Sequence, residues 1–379
     1  SQYQSLALDA YITALSLSDP KADPTNHADL VLNVAEGFRL VGNPSKAYEY
    51  YRQALGEKLE IRSDQRKTLV HSHTGQSAIA VENYDFAAEQ ISKALGVLQD
   101  QPAPQTPEER RQFLIRIARL RDQLALSHRL SKRYKAAVEE YRTYLDVLEQ
   151  LTKLATTSEQ QRRYAQNRLR AQRNLALNLY RAVEAGSMNQ QVLVEARRIL
   201  HRVLEDLPKV GVVQNGKAAR ATITIELGGG TEFDETAELQ LVHTYLARIY
   251  ALADNYAEAA AHLQKKLDLY DEPEDDNALA AEHAIVVSQI GMFQLKDDKP
   301  AAAFKSFKKA RELDQKANNL HGEVVNTANM GSAVLRMFAR RKASQRSESL
   351  RVMLADAISA HSETLAKLET GATEEQRPA

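Results

Sequence analysis

The feature that most constrains the fold is a stretch at residues 295–335 in which small and large apolar residues alternate at helical spacing. Ala303 and Gly331 are small residues at positions where two helices would approach closely, and Phe307 and Met330 supply apolar bulk. This pattern predicts a pair of packed helices joined by a turn. One such pair cannot bury its apolar face alone, so the rest of the chain must supply neighbours.

The same order of residues recurs along the chain. In each copy an alanine is expected where the second helix of a pair crosses the first, and we call these residues the crossing alanines. They are Ala47, Ala87, Ala137, Ala196, Ala259 and Ala303. A seventh copy begins at Asn329 and loses the pattern afterwards. The chain is therefore expected to form an array of helix pairs rather than separate compact domains.

These residues resemble the tetratricopeptide repeat, which has Leu-Gly or Leu-Ala and an aromatic residue on its first helix and Ala, aromatic, Ala on its second. The resemblance covers about residues 28–343. The crossing alanines lie 40 to 63 residues apart, further than the roughly 34 residues usual for this repeat. The copies are therefore similar to the extended repeats of kinesin light chain and the Pins/LGN adaptors. The resemblance implies an all-α, right-handed superhelical solenoid of helix-turn-helix repeats.

The predicted organisation follows the repeats, with residues 28–207 forming repeats one to four and residues 239–343 forming repeats five to seven. The flanking segments are an N-terminal capping helix at 1–27, an insertion at 208–238, a C-terminal capping helix at 344–369 and a disordered tail at 370–379. The capping helix is expected to turn Leu350, Met353, Leu354, Ile358 and Leu365 inward. Period-two alternation at Thr222–Ile225 predicts a small β-hairpin within 209–234, and a disordered loop is the alternative.

Charge is balanced overall, with 50 basic and 50 acidic residues, but it is divided into blocks. Residues 108–202 carry 20 basic and 10 acidic side chains, residues 203–298 carry 7 and 18, and residues 299–351 carry 12 and 4. The chain has no cysteine, which excludes disulfides and thiolate chemistry. The alternating blocks favour electrostatic contacts with a partner or between copies of the chain.

No catalytic constellation stands out in the sequence. The run Gly228–Gly230 is followed by Thr-Glu rather than Gly-Lys-Ser/Thr, so it does not predict a phosphate-binding loop. His71 and His73 are two residues apart and would point to different faces of a helix, which disfavours a shared metal site. The sequence contains no run of eighteen apolar residues, so it predicts no membrane-spanning helix. We therefore expect no enzyme, no cofactor, no metal and a cytoplasmic protein, whose first residue, Ser1, suggests trimming or processing.

Two sets of residues are candidates for partner binding. In the extended repeats, the polar residue before the Leu-Gly position resembles one whose amide holds the ligand backbone, and an amide that bonds a neighbouring helix is the alternative. The amides at that position are Asn33, Gln123, Asn174, Gln289 and Asn329. The repeat register also turns a set of arginines toward the groove, namely Arg119, Arg129, Arg170, Arg173 and Arg181. Guanidinium groups bind carboxylates through charge-assisted bonds, so an acidic ligand is expected unless these side chains form a solvated face.

Because the sequence contains repeats and no catalytic constellation, it predicts a scaffold or adaptor. Such a protein would bind a peptide or helix of another protein in its concave groove. One alternative is a structural subunit that contacts a larger assembly through its convex face and the 209–234 insertion. A peptide-responsive regulator is a further alternative, although the first 27 residues hold no DNA-binding domain. Nucleic acid is not favoured as a partner, because aromatic residues do not interleave with the arginines.

Overall fold

In the computed structural model the described residues form α-helices joined by short turns. The structure describes residues 2–56, 63–210, 233–270, 273, 276–339 and 348–375, and no strand occurs among them. The helices are α1 Gln2–Leu17, α2 Pro24–Leu40, α3 Pro44–Gly56, α4 Asp64–Ala80, α5 Tyr84–Gln99, α6 Pro107–Leu130, α7 Tyr134–Lys153, α8 Ser158–Glu184, α9 Val192–Val210, α10 Glu235–Leu252, α11 Tyr256–Leu267, α12 Asn277–Lys296, α13 Pro300–Lys316, α14 Leu320–Ala339 and α15 Glu348–Glu375. The prediction of an all-α fold is confirmed for this part of the chain.

Each helix from α1 to α8 packs against the next, and so does each helix from α10 to α15, as an array of pairs requires. All six crossing alanines are fully buried, as expected where two helices cross closely. The first helix of a pair also uses glycine where it meets a large side chain. A Cβ at Gly75 would lie 2.5 Å from Ile91 Cγ1, and one at Gly291 would lie 2.7 Å from Phe307 Cε1. Close helix approach therefore depends on small residues on both sides of the contact.

The turn inside each pair has one repeated backbone geometry. A residue with positive φ ends the first helix in six pairs, and these residues are Gly42, Glu82, Lys132, Gly186, Asp254 and Asp298. The next residue then donates its backbone N–H to a carbonyl five residues earlier, as Asn83 does to Ala78 at 2.8 Å. Asn83 also caps the second helix by accepting the N–H of Phe86. These bonds satisfy groups that a helix end leaves without partners.

The described residues fall into two compact units. The first contains the residues up to Ile199 together with Phe233, and the second contains the remaining residues from Leu200 onward. Each unit has its own core, with Val31 and Tyr51 buried in the first and Phe307 and Met330 buried in the second.

Helix α12, in the second unit, is the one described helix long and apolar enough to cross a membrane by length and composition. It packs against α11, α13 and α14. Its buried residues include Ala284, Val287 and Ile290. These contacts are those of a core helix.

Helix α15 packs on α14 through a narrower face than the sequence suggested. Leu350, Ala357 and Ala360 are buried, whereas Ile358 and Leu365 are each 57% exposed. The expectation that Leu354, Ile358 and Leu365 face inward is therefore wrong. The two alanines allow close helix approach and set the rotation of α15, and ion pairs from Lys308, Arg311 and Glu323 to Asp356, Glu363 and Lys367 hold it there.

Some predicted boundaries fall at or beyond the described residues. The described helices α9 and α10 end at Val210 and begin at Glu235, so nearly all of the predicted hairpin at 209–234 lies outside the described residues. Helix α15 continues to Glu375, past the boundary expected at residue 369. The right-handed superhelix stays a prediction.

Candidate partner-binding site

Three of the five predicted groove arginines interact electrostatically with one aspartate in the first unit. Arg129 lies on α6, and Arg170 and Arg173 lie on α8. All three interact electrostatically with Asp122 of α6. Asp122 and the three arginines are half-buried. We call these four residues the arginine cluster.

Helix geometry places these side chains on shared helix faces. Asp122 and Arg129 are seven residues apart, and Arg170 and Arg173 are three apart, so each pair shares one helix face. Helix α7 packs against both α6 and α8. It contributes the buried rings of Tyr141 and Tyr144 beside Asp122.

The charges in the cluster are partly removed from water. Burial raises the pKa of Asp122 to about 6, although Arg129, Arg170 and Arg173 each act to lower it. Burial, and then the charge of Asp122, also raise the pKa of Tyr141 and of Tyr144. Both tyrosines are therefore neutral at ordinary pH. The cluster carries three positive charges and, above about pH 6, one negative charge.

Two further contacts orient the arginines. The Arg170 guanidinium lies 5.2 Å from the centroid of the Phe233 ring, a cation–π contact. Arg173 Nη2 donates to Asn174 Oδ1 at 3.1 Å. Asn174, one of the predicted backbone-binding amides, is thus already engaged by its neighbour on α8.

The remaining predicted site residues lie apart from this cluster. Arg181 pairs with Glu184 one turn further along α8. Gln123 is buried, and its Oε1 has no hydrogen-bond partner among the described residues. Arg119 and Gln289 are exposed, and Asn33 and Asn329 are half-buried. Gln289 and Asn329 belong to the second unit.

The first unit also holds a polar network that the sequence did not indicate. Glu36 Oε2 accepts a hydrogen bond from Tyr51 Oη at 2.6 Å and lies 3.0 Å from His73 Nδ1. Burial alone would raise the pKa of Glu36, but bonds from Arg39, His73 and Tyr51 outweigh it and hold the pKa well below its usual range. His73 of α4 thus bonds Glu36 of helix α2.

The second unit contains a buried histidine pair. His243 Nδ1 lies 3.0 Å from His262 Nδ1, and the Tyr250 ring stacks on His262 with centroids 5.4 Å apart. His201 Nε2 lies 3.2 Å from Tyr250 Oη. Burial lowers the pKa of His243 and of His262 to about 4. Among the described residues, no group of three or more potential ligand side chains is arranged to hold a metal ion.

Asp122 is the functional candidate that sequence reasoning missed. It lies three residues after Arg119 and seven before Arg129, so it shares a helix face with two arginines that the register did identify. The signal available in the sequence was an acidic residue on an otherwise basic face of the helix. Its electrostatic interaction with Arg170 and Arg173 depends on where α8 lies relative to α6, which the sequence does not specify.

Comparison with known proteins gives fold-level similarity alone. No protein-family model matches the chain, and no curated protein matches it. Among solved structures, the apo form of the quorum sensor NprR from B. thuringiensis is 12% identical, with 96% of this chain and 94% of that chain covered and a TM-score of 0.46. The TPR-like repeats of a putative kinesin light chain from Podosopora anserina are 16% identical, covering 65% and 95%, with a TM-score of 0.42. YrrB, described as a TPR protein with an unusual peptide-binding site, is 18% identical, covering 69% and 95%, with a TM-score of 0.35.

Proposed function

We propose that this chain is a non-enzymatic protein-interaction scaffold and that the arginine cluster binds an acidic peptide or an acidic helix of a partner protein. The observation that carries this proposal is that Arg129, Arg170 and Arg173, from two helices, are half-buried and all interact electrostatically with Asp122. Planar guanidinium groups bind carboxylates in a bidentate manner. Carboxylates of a partner are therefore the complementary chemistry.

The surroundings of the cluster favour binding over a purely solvated face. Partial burial lowers the local dielectric, so each ion pair with a ligand is stronger than it would be at a fully exposed site. Phe233 and Asn174 restrict Arg170 and Arg173 before a ligand arrives. Side chains that are already ordered lose less entropy on binding.

A wider form of the proposal extends the site along the repeats. Asn33 would hold the backbone of an extended ligand in the first unit, and Gln289 and Asn329 would do so in the second. This extension is supported by the repeat register and presupposes the right-handed superhelix predicted from the sequence. Replacing these amides with alanine singly is expected to weaken binding less than reversing the charges of the cluster, because each amide contributes one neutral hydrogen bond.

Charge reversal within two helices tests the proposal. A variant with Arg129, Arg170 and Arg173 replaced by Glu is compared with one in which the exposed Arg116, Arg162 and Arg163 of the same two helices are replaced by Glu. Binding of a fluorescein-labelled oligo-aspartate is measured by anisotropy at about 50 mM and about 500 mM salt. Circular dichroism checks that both variants remain helical.

The cluster variant is expected to bind at least about tenfold more weakly and to lose most of its salt dependence, whereas the control retains the larger part of both. Equal losses in the two variants would mean that net charge alone drives binding and would overturn the proposal. If a partner identified later stays bound to the cluster variant and is released on deletion of residues 211–232, the structural-subunit alternative takes its place.

A further inference from the structure

Helix α15 is joined to α13 by two ion pairs. Asp356 Oδ2 lies 2.7 Å from Lys308 Nζ, and Glu363 Oε2 lies 2.6 Å from Arg311 Nη2. Both carboxylates belong to α15, and both cations belong to α13. These pairs therefore connect two helices that are not consecutive in the chain.

A third ion pair has the opposite polarity and joins α15 to α14. Lys367 Nζ lies 2.7 Å from Glu323 Oε2 of α14, and the Glu323 side chain is only 3% exposed. The other oxygen of Glu323 accepts a hydrogen bond from Arg311 at 2.9 Å. Helices α13 and α14 thus present two cations and one anion, and α15 supplies the opposite charge to each.

The apolar part of this contact relies on small residues. Leu350, Ala357 and Ala360 of α15 are buried in one cluster with residues of α13 and α14. A Cβ at Gly331 of α14 would lie 3.3 Å from His361 Nε2, so the two helices approach closely there. Alanine buries less apolar area than leucine, so the contact gains less from burial than a leucine-rich seam would.

The ion pairs are accessible to solvent on at least one side. The side chains of Lys308, Asp356, Glu363 and Lys367 are 35% to 55% exposed. Salt screens charges at such positions, and each pair contributes modestly to stability. Helices in proteins gain most of their stability from packing, so α15 depends on this contact. A contact built in this way can be exchanged for an equivalent one.

We propose that α15 is a displaceable occupant of a helix-binding surface on α13 and α14, and that an amphipathic helix of a partner protein with the same charge pattern takes its place. Charge complementarity specifies that partner. Asp356 and Glu363 are seven residues apart, and Lys367 follows four residues later. The surface therefore fits a helix with two carboxylates two turns apart, an ammonium group one turn further on and alanines between them.

This surface goes beyond the proposed function of the arginine cluster. Its residues belong to the second unit, whereas the cluster belongs to the first. The two sites can therefore be tested independently.

The test first weakens the contact from the side of α15. One variant combines Asp356→Lys and Glu363→Lys, which opposes the two cations of α13 with like charges. The control combines Glu282→Lys and Glu312→Lys at exposed positions of α12 and α13, with the same change in net charge. Hydrogen exchange in α15 is expected to be at least about tenfold faster in the reversed variant than in the control. Exchange in α12 should differ by less than about twofold.

The vacated surface is then offered the same helix as a separate peptide. The probe is a fluorescein-labelled peptide of residues 348–368, and its binding is followed by anisotropy. It is expected to bind the reversed variant at least about tenfold more tightly than the unsubstituted chain, where the tethered α15 competes at high effective concentration. A peptide carrying the two lysine substitutions should not show this gain. Circular dichroism checks that both protein variants are folded.

Two results would overturn the inference. If α15 exchanges no faster in the reversed variant than in the control, the ion pairs do not hold it. If α15 exchanges faster but the peptide gains no affinity, α15 is a fixed cap that another helix does not replace. Should the reversed variant fail to fold, Asp356→Asn combined with Glu363→Gln weakens the same pairs without repulsion, and the same two readouts apply.

Failure of this inference can be distinguished from failure of the proposed function. Charge reversal of the arginine cluster, introduced into the reversed variant, should leave binding of the α15 peptide unchanged within about twofold. Loss of peptide binding in that combination would mean that the peptide binds the arginine cluster instead, and the surface on α13 and α14 would be rejected.

Discussion

At the scale of single residues, the His243–His262 contact shows how a buried pair can depend on protonation. Their Nδ1 atoms are 3.0 Å apart, so one ring must donate a proton and the other must accept it. Two protonated rings at this distance would repel each other. Lys265 and His201 add further positive potential around the pair. The contact is therefore compatible with two neutral imidazoles, and protonation of both rings at low pH would destabilise it.

We expect the free energy of unfolding to fall as the pH is lowered from about 6.5, the usual histidine pKa, toward about 4. The pKa of both rings is lower in the folded chain than in the unfolded chain, so the unfolded state binds more protons in this interval. Chemical denaturation at a series of pH values measures the effect. His262→Gln should flatten the curve, whereas His321→Gln, at an exposed histidine, should leave its slope unchanged. Parallel curves for the two variants would contradict the assignment.

At the scale of helices and turns, the repeated positive-φ residue is the most regular element of the chain. Glycine adopts this conformation without steric cost, but Glu82, Lys132, Asp254 and Asp298 do not. The sequence indicates the turn at Gly42-Asn43-Pro44 directly. At Lys132 the residue type does not indicate a turn. The hydrogen bonds of the turn and the packing of the two helices impose the positive φ there.

Lys132→Gly is expected to raise the free energy of unfolding by about 0.5–1 kcal/mol, because it relieves a left-handed residue. Gly42→Ala should lower it by about 1 kcal/mol, since it introduces the same strain. Asp146→Gly, at an exposed position inside α7, serves as the control and should destabilise by about 0.3 kcal/mol. Denaturant unfolding of the three variants checks these signs. Destabilisation by Lys132→Gly would show that the lysine side chain contributes more than the strain removes.

At the scale of the whole molecule, stability should be distributed through contacts between neighbouring helices. Ala303→Leu inserts a large side chain at a fully buried crossing, and overpacking there is expected to cost about 1–3 kcal/mol. Hydrogen exchange should accelerate in α12 to α14 and remain unchanged in α4 and α5. Ala301→Leu, at an exposed position on the same helix, should alter neither. Uniform acceleration in all helices would contradict a nearest-neighbour distribution.

The sequence specifies the repeated contacts better than it specifies the site. Crossing alanines are legible because a small residue is required at every pair, and a requirement that recurs six times produces a pattern. Asp122 and the histidine pair each occur once, and they interact with residues of other helices. Their contacts depend on the rotation of each helix about its axis. The rotation of α15 shows the same limit, since leucine content suggested one face and Ala357 and Ala360 selected another.

The constant turns contrast with the helices that they join. Helix α3 has 13 residues and α8 has 27, a difference of about 20 Å in length at 1.5 Å per residue. The backbone geometry at the turns is nevertheless shared by six pairs. The length of the helices therefore varies independently of the geometry of the turns that connect them. In engineering terms, whole helical turns can be added to the end of a pair that lies away from the joint, without redesigning the joint itself.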